Sequence, residues 1–126
     1  MTNWPQNYLP NCPPDDAELP DGVYYHFIDG NSASEFDFKC KFEKNPGYTN
    51  NCQAHGISMI KDLDDITNYR EAYINIFGNK KVVEIRMNNN MGVIKNTPSV
   101  CAKSHYTWWK PIDIKPWDLC KILEEE

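Results

Sequence analysis

The chain has 126 residues, 40% apolar, 25% charged and 13% aromatic, with a formal net charge of −5; this is one domain's worth of polypeptide, and its composition excludes global disorder. No apolar run approaches the ~18 residues of a membrane span. The opening residues, Met1 to Tyr8, have neither a basic start nor an apolar stretch, so no membrane partner and a cytoplasmic location are expected.

Five of the nine prolines lie in residues 1–20. Each fixes φ and lacks a donor, so this acidic segment is expected as an extended arm, docked through Trp4, Tyr8 and Leu9. Residues 21–126 then form a single domain. From Gly22 the pattern has period two, with Val23, Tyr25 and Phe27 on one face and Tyr24, His26 and Ile28 on the other, until Asp29-Gly30 breaks it. Phe36, Phe38, Cys40 and Phe42 alternate with Asp37, Lys39 and Lys41, which predicts a second strand joined to the first as a hairpin through Gly30–Glu35. Asn45-Pro46-Gly47 reads as a type II turn, and Ile57–Ile60 as a short buried strand.

One amphipathic helix is predicted over about 65–77. Asp64 or Asp65 caps it, and Ile66, Tyr69, Tyr73, Ile76 and Phe77 recur at helical spacing, with Gly78 ending it in the left-handed conformation. Val83, Ile85 and Met87 then alternate with Glu84 and Arg86, and the Asn88–Asn90 turn is expected to fold Met91–Ile94 back as a hairpin. In the Val100–Trp109 strand, His105, Thr107 and Trp109 share one face, and Ser104, Tyr106 and Trp108 the other. Pro116 opens a short C-terminal helix through Leu119, Ile122 and Leu123, frayed at its end by Glu124–Glu126, which oppose the helix dipole. A lone amphipathic helix cannot cover both faces of a parallel sheet. The expected class is therefore α+β: a mostly antiparallel twisted sheet packed on one main helix, with the extended arm and the short terminal helix as additions.

Charge is segregated along the chain. Residues 1–38 contain seven acids and no Lys or Arg, residues 39–110 hold eleven bases against six acids, and residues 111–126 return to a net −3. The acidic ends are expected to lie across the basic middle. With eleven Lys and only two Arg, that middle lacks the planar forks that read base edges, which disfavours sequence-specific DNA binding. The five cysteines are odd in number and far apart, so they are expected as free thiols in a reducing compartment. Cys52-Gln53-Ala54-His55 has no second pair to complete a zinc site, Asp29–Glu35 departs from a calcium loop at Ser34 and Cys40, and no metal or cofactor is expected.

The candidate catalytic residues are His26, Ser58, Glu84 and His105. Histidine titrates near neutrality, and His105 sits in a polar and aromatic stretch. Tyr106, Thr107, Trp108, Trp109 and Trp4 are the candidate binding residues, since Tyr and Trp dominate contact hot spots. A Cys101–His105 nucleophile pair is excluded by reach, because four residues of strand span about 13 Å. Val23-Tyr24-Tyr25-His26-Phe27 followed by Gly56-Ile57-Ser58 resembles the first two motifs of small ADP-ribosyltransferase-type toxins. That resemblance implies that His26 and Ser58 hold NAD and that Glu84 supplies the catalytic carboxylate.

With no complete catalytic motif, the leading expectation is a small intracellular binding or regulatory module of the inhibitor or immunity type met in bacteria and phages. It would dock on a protein partner through an aromatic and acidic surface. The alternative is a nucleotide-binding or ADP-ribosyltransferase-like enzyme that uses His26, Ser58 and His105, with Lys39 or Arg86 on phosphate.

Overall fold

The alternation that begins at Gly22 becomes β1 (Gly22–Ile28), antiparallel to β3 (Lys81–Met87) from Gly22 opposite Met87 to Ile28 opposite Lys81. A computed structural model, which describes residues 3–45, 47 and 50–123, adds β2 (Ile57–Ile60), β4 (Val93–Asn96), β5 (His105–Trp109) and β6 (Lys121–Ile122). They form a six-stranded sheet in the order β4-β5-β2-β1-β3-β6, with every neighbouring pair antiparallel. The α+β class read from the sequence is the observed one. No helix among the described residues is long and apolar enough to cross a membrane.

Both faces of the sheet are packed, and the period-two pattern explains how. Tyr24 and Ile28, Met59, Val83, Ile85 and Met87, and Trp108 share one core, closed by Phe38, Ile114 and Trp117. The alternate positions Ile60 and Val82, with Tyr25 and Phe27 at their edge, meet Ile66 and Tyr69 of α2 (Leu63–Ala72) on the other face. Asp62 caps α2 by accepting from the Asp64 amide at 2.9 Å. Asp65 holds the helix to the start of β5 by accepting from the Ser104 hydroxyl at 2.6 Å and its amide at 2.9 Å.

Several local expectations are corrected. The predicted strand over Phe36–Phe42 is a 3-10 turn, Glu35–Phe38, followed by the short helix α1 (Lys41–Lys44). Local hydrogen bonds outcompete the ladder here: the Asp37 carboxylate accepts from the amides of Asp29 and Ser34 and from the Ser34 hydroxyl, and Glu43 accepts from the Cys40 amide. The hairpin through Gly30–Glu35 is lost with that strand. Cys40 is nonetheless buried, as its apolar spacing suggested.

The predicted helix is broken at Tyr73, whose φ of −123° and ψ of 47° separate α2 from α3 (Ile74–Phe77). Tyr69 and Phe77 still pack on Phe27, but Tyr73 and Ile76 are turned out to solvent. Gly78 is right-handed helical, with φ −57°, rather than left-handed. The Asn88 turn forms, but β4 does not return beside β3. Both sides of β3 are already taken by β1 and β6, and β4 crosses to the opposite edge to pair with β5. At the C-terminus one 3-10 turn, Pro116–Asp118, gives way to β6 instead of continuing as helix. Position 46 of the expected Asn45-Pro46-Gly47 turn and residues 124–126 lie outside the described residues.

The cysteines are corrected as well. Cys12 and Cys52 form a disulfide with their Cα atoms 5.5 Å apart, while Cys40, Cys101 and Cys120 are free thiols. The bridge spans 40 residues, so its proximity is a tertiary fact that spacing along the chain does not reveal. It joins a docked arm: Trp4 stacks on Tyr8, Tyr8 meets the His55 ring, the Asn3 carbonyl accepts from the Ile112 amide, and Glu18 bridges to Ile94. Asp16 of the acidic arm pairs with Lys95 of the basic middle at 2.9 Å.

Closing a loop of this length stabilises a chain by roughly 4 kcal/mol through the unfolded state. The Cys12→Ser/Cys52→Ser variant should therefore show a lower urea midpoint, and reduction of the wild type should reproduce it; an unmoved midpoint would mean the bridge adds nothing. Ile66→Asp places an unpaired carboxylate in the core under α2 and should cost more than about 3 kcal/mol in the same assay.

Candidate functional site

The candidate site begins with a short pairing. β1 and β2 share only the Tyr25–Ile60 pair. Next to it the His26 ring takes over a strand carbonyl, with Nδ1 2.7 Å from the Ser58 oxygen and Nε2 2.6 Å from the Asp37 oxygen, while its face stacks on Phe38. Both ring nitrogens face backbone carbonyls, and the one N–H of a neutral ring donates to one of them, so His26 is wedged between β1, β2 and the 3-10 turn. Its burial holds the pKa below the ordinary histidine value, against the pull of the two carbonyls.

On the helix-facing side, β2 and β5 place Ser58 directly opposite Thr107, and cross-strand partners share a face. His105 lies two residues before Thr107 on the same face. Its Nδ1 is 3.0 Å from the Thr97 carbonyl, which can only accept, so Nδ1 carries the proton. The Thr97 hydroxyl lies 3.0 Å from the same nitrogen and 2.9 Å from the Thr107 hydroxyl. Nε2 then keeps its lone pair and has no hydrogen-bond partner among the described residues. Tyr69 of α2 stacks over the ring at 6.2 Å.

Two adjoining cavities of about 180 and 400 Å³ run over this face, and Lys41, Gly56, Ser58, Tyr69 and His105 line both. His26, Lys39, Lys44 and Lys80 line the smaller one, and Gln53, Thr97 and Thr107 the larger. The result is a trough with lysines at one end and hydroxyl and amide groups at the other. Lys80 is held by Asp29 at 2.7 Å. Burial lowers the His105 pKa, with Lys41 adding to the effect, so at neutral pH the ring is neutral and able to accept or abstract a proton.

Of the residues predicted from sequence, His26, Ser58 and His105 therefore reach one cavity. Glu84 does not line it: it is paired with Tyr25 and Lys121 in the β1-β3-β6 ladder. Arg86 lies on the same strand, outside the trough. The predicted binding residues separate. Trp108 and Trp109 are 0% and 1% exposed, which corrects their placement on a docking surface: each fills a core and spends its indole N–H on a loop carbonyl, of Met91 at 2.6 Å and Cys52 at 2.9 Å. Tyr106 packs edge-on against Tyr24, Trp4 stacks within the arm, and Thr107 stays in the site. Lys41, Thr97 and Tyr69 were not singled out as site residues from the sequence. The Lys39-Cys-Lys41-x-x-Lys44 run carries a signal for the first, whereas Thr97 is brought in only by β4–β5 pairing.

Among the described residues no cluster of His, Cys, Asp or Glu could hold a metal ion, and Cys52 of the C-x-x-H pair is committed to the disulfide. His26, His55 and His105 are all held below the ordinary histidine pKa by burial. Below about pH 6.5 the unfolded chain binds protons that the folded chain refuses, so stability is fully present above that value and declines as pH falls. The melting temperature should drop between about pH 7.5 and pH 5.5, and His105→Gln should flatten the slope; a flat wild-type profile would contradict the buried neutral histidines.

No family model, curated protein or solved structure matches this chain.

Proposed function

We propose that the chain is a small ligand-binding domain whose trough over β2 and β5 takes an anionic small molecule, a nucleotide or another phosphorylated compound. The observation that carries this reading is the convergence of Lys39, Lys41, Lys44 and Lys80 with Ser58, Tyr69 and His105 on two adjoining cavities, in a chain whose net charge is −5. Locally concentrated lysines attract phosphate, and hydroxyls and a neutral imidazole orient a sugar or base beside it. The neutral Nε2 of His105 is the group that would accept a proton if the bound compound reacts. The ADP-ribosyltransferase form of this reading is weaker, because Glu84 lies outside the trough and both nitrogens of His26 are engaged. The Cys12–Cys52 disulfide favours an oxidising compartment over the cytoplasm as the place of action.

A second reading keeps a regulatory module that docks on a protein partner. With the tryptophans buried, it rests on Tyr73, Ile74 and Ile76, which are 43%, 56% and 59% exposed around the helix break. Such exposed apolar neighbours are the ordinary core of an interface.

Thermal unfolding with inorganic phosphate, AMP, ATP and NAD at millimolar concentration separates the two. A bound ligand at about 100 times its Kd adds about 2.7 kcal/mol to stability. At least one of these compounds should raise the melting temperature, and Lys41→Ala should remove most of the rise. No shift across the panel would overturn the ligand reading and leave the protein-docking one.

A further inference from the structure

The Cys12–Cys52 bond is built into the wall of the trough. Asn51, Gln53, Ala54 and Gly56, which flank Cys52, all line the larger cavity. The Cys52 carbonyl accepts from the Trp109 indole at 2.9 Å, which fixes the body side of the bridge. Both cysteines are half-buried rather than enclosed in a core. The arm is tied by hydrogen bonds and an ion pair at its two ends: Asn3 accepts from Ile112, while Asp16 and Glu18 meet Lys95 and Ile94. Between those ties a cavity of about 230 Å³, lined by Tyr8, Glu43, His55 and Lys110, lies between arm and body. The disulfide is the covalent tie across this loosely packed stretch.

His55 ends the Gln53–His55 turn and couples it to the lysines. Its ring lies 4.3 Å from the Phe42 ring and meets Tyr8 of the arm at 5.5 Å, and the Tyr8 hydroxyl is 3.4 Å from the His55 carbonyl. Phe42 belongs to α1, none of whose residues is buried. It stands next to Lys41, which lines both cavities, and two residues before Lys44, which lines the smaller. A helix of one turn is too short to be stable by its own hydrogen bonds. Its start is fixed by the buried Cys40, and its position over the trough rests on the contact of Phe42 with His55.

We propose that this bond is a redox switch on the trough. Oxidised, it holds the turn and, through His55 and Phe42, keeps Lys41 set for an anion; reduced, it lets the turn and α1 shift, and the affinity falls. The switch rests on the reading of the trough as a site for a phosphorylated compound. Its reductant is a dithiol. One thiolate attacks the Cys12 or Cys52 sulfur, forming a mixed disulfide as the Cys12–Cys52 bond breaks, and the released sulfur takes a proton. The second thiolate then closes the dithiol's own disulfide and frees the other cysteine, which is protonated in turn. Two electrons and two protons pass to the protein, and the dithiol leaves as a cyclic disulfide. The ties at both ends of the arm survive this exchange, so the sheet stays formed while the middle of the arm opens. By linkage, a ligand that prefers the oxidised form also favours closure of the bond.

The test compares the oxidised full chain with the same chain reduced by dithiothreitol. Calorimetric titration with inorganic phosphate, AMP, ATP and NAD gives the affinities, and amide hydrogen exchange without ligand reports the structure. Reduction should weaken binding about tenfold or more, within the usual range for coupled sites. It should also speed exchange over residues 41–45 and 53–56 and leave the β1–β3 ladder protected. Phe42→Ala keeps the bridge but removes the ring between turn and α1. Oxidised, this variant should bind as weakly as the reduced wild type, and reduction should then add little. It carries the test on its own if the reduced chain unfolds. Equal affinity in the two redox forms, or unchanged affinity in folded, oxidised Phe42→Ala, overturns the switch and leaves the ligand reading standing. Binding of none of the four compounds by the oxidised chain overturns the ligand reading, and the switch with it.

Discussion

The contact between β2 and β5 joins the two halves of the sheet, β4-β5 on one side and β1-β3-β6 on the other. It is a close approach. A Cβ on Gly56, at the entrance to β2, would run into Thr107 Cγ2 and meet the Trp109 ring at 3.3 Å. Only a glycine lets the four residues of β2 lie against the five of β5, and the pairing from Ile57–Trp108 to Ile60–His105 follows from it. The adjacent tryptophans of β5 then reach opposite faces. Trp108 anchors the chain that crosses the sheet from β3 to β4, and Trp109 anchors the segment that carries the disulfide. Loss of this pairing would remove the shared floor of the trough as well as the continuity of the core.

The trough illustrates how a sheet with both faces packed can still hold an open site. α2 covers the Ile60 and Val82 end of its face, where Ile66 is buried, and the break at Tyr73 ends that cover. Toward Ser58 and Thr107 the face is polar and is flanked by Tyr69 and Lys41. Burial there is sufficient to keep His105 neutral, while Thr97 sets its tautomer by accepting from Nδ1. His26 shows the opposite outcome from similar raw material: its two nitrogens lie against the backbone carbonyls of Ser58 and Asp37, and the one N–H of the neutral ring donates to one of them.

The arm contributes more than coverage. Its cysteine is bridged to Cys52, immediately before the Gln53–His55 turn whose residues line both the trough and the cavity holding Lys110. Its Asp16 and the later Asp29 neutralise Lys95 and Lys80. The acidic beginning of the chain thus partly offsets the basic middle, as its charge order suggested, and leaves Lys39 and Lys41 without ion pairs among the described residues.

Period-two alternation placed β1, β3 and the His105–Trp109 part of β5 and separated their faces, because side-chain direction along a strand is a local property of the backbone, whereas β2 was expected only as a short buried strand and the strand expected from Val100 begins at His105. The amphipathic spacing of Ile66, Tyr69 and Phe77 likewise marked the helix that covers the sheet. Alternation alone misread Phe36–Phe42, where the carboxylates of Asp37 and Glu43 satisfy nearby amides and make a helical turn cheaper than a strand; the Ser34-x-x-Asp37 and Cys40-x-x-Glu43 spacings were the overlooked sign. The sequence by itself determined the alternation of faces along β1 and β3, how charge is ordered and that His26, Ser58 and His105 deserved comparison. Strand order, the Cys12–Cys52 bridge, the burial of Trp108 and Trp109 and the meeting of Thr97 with His105 were decided only by tertiary structure. Each joins residues 8 to 57 positions apart or depends on which strand sits beside which, and no local pattern encodes that choice.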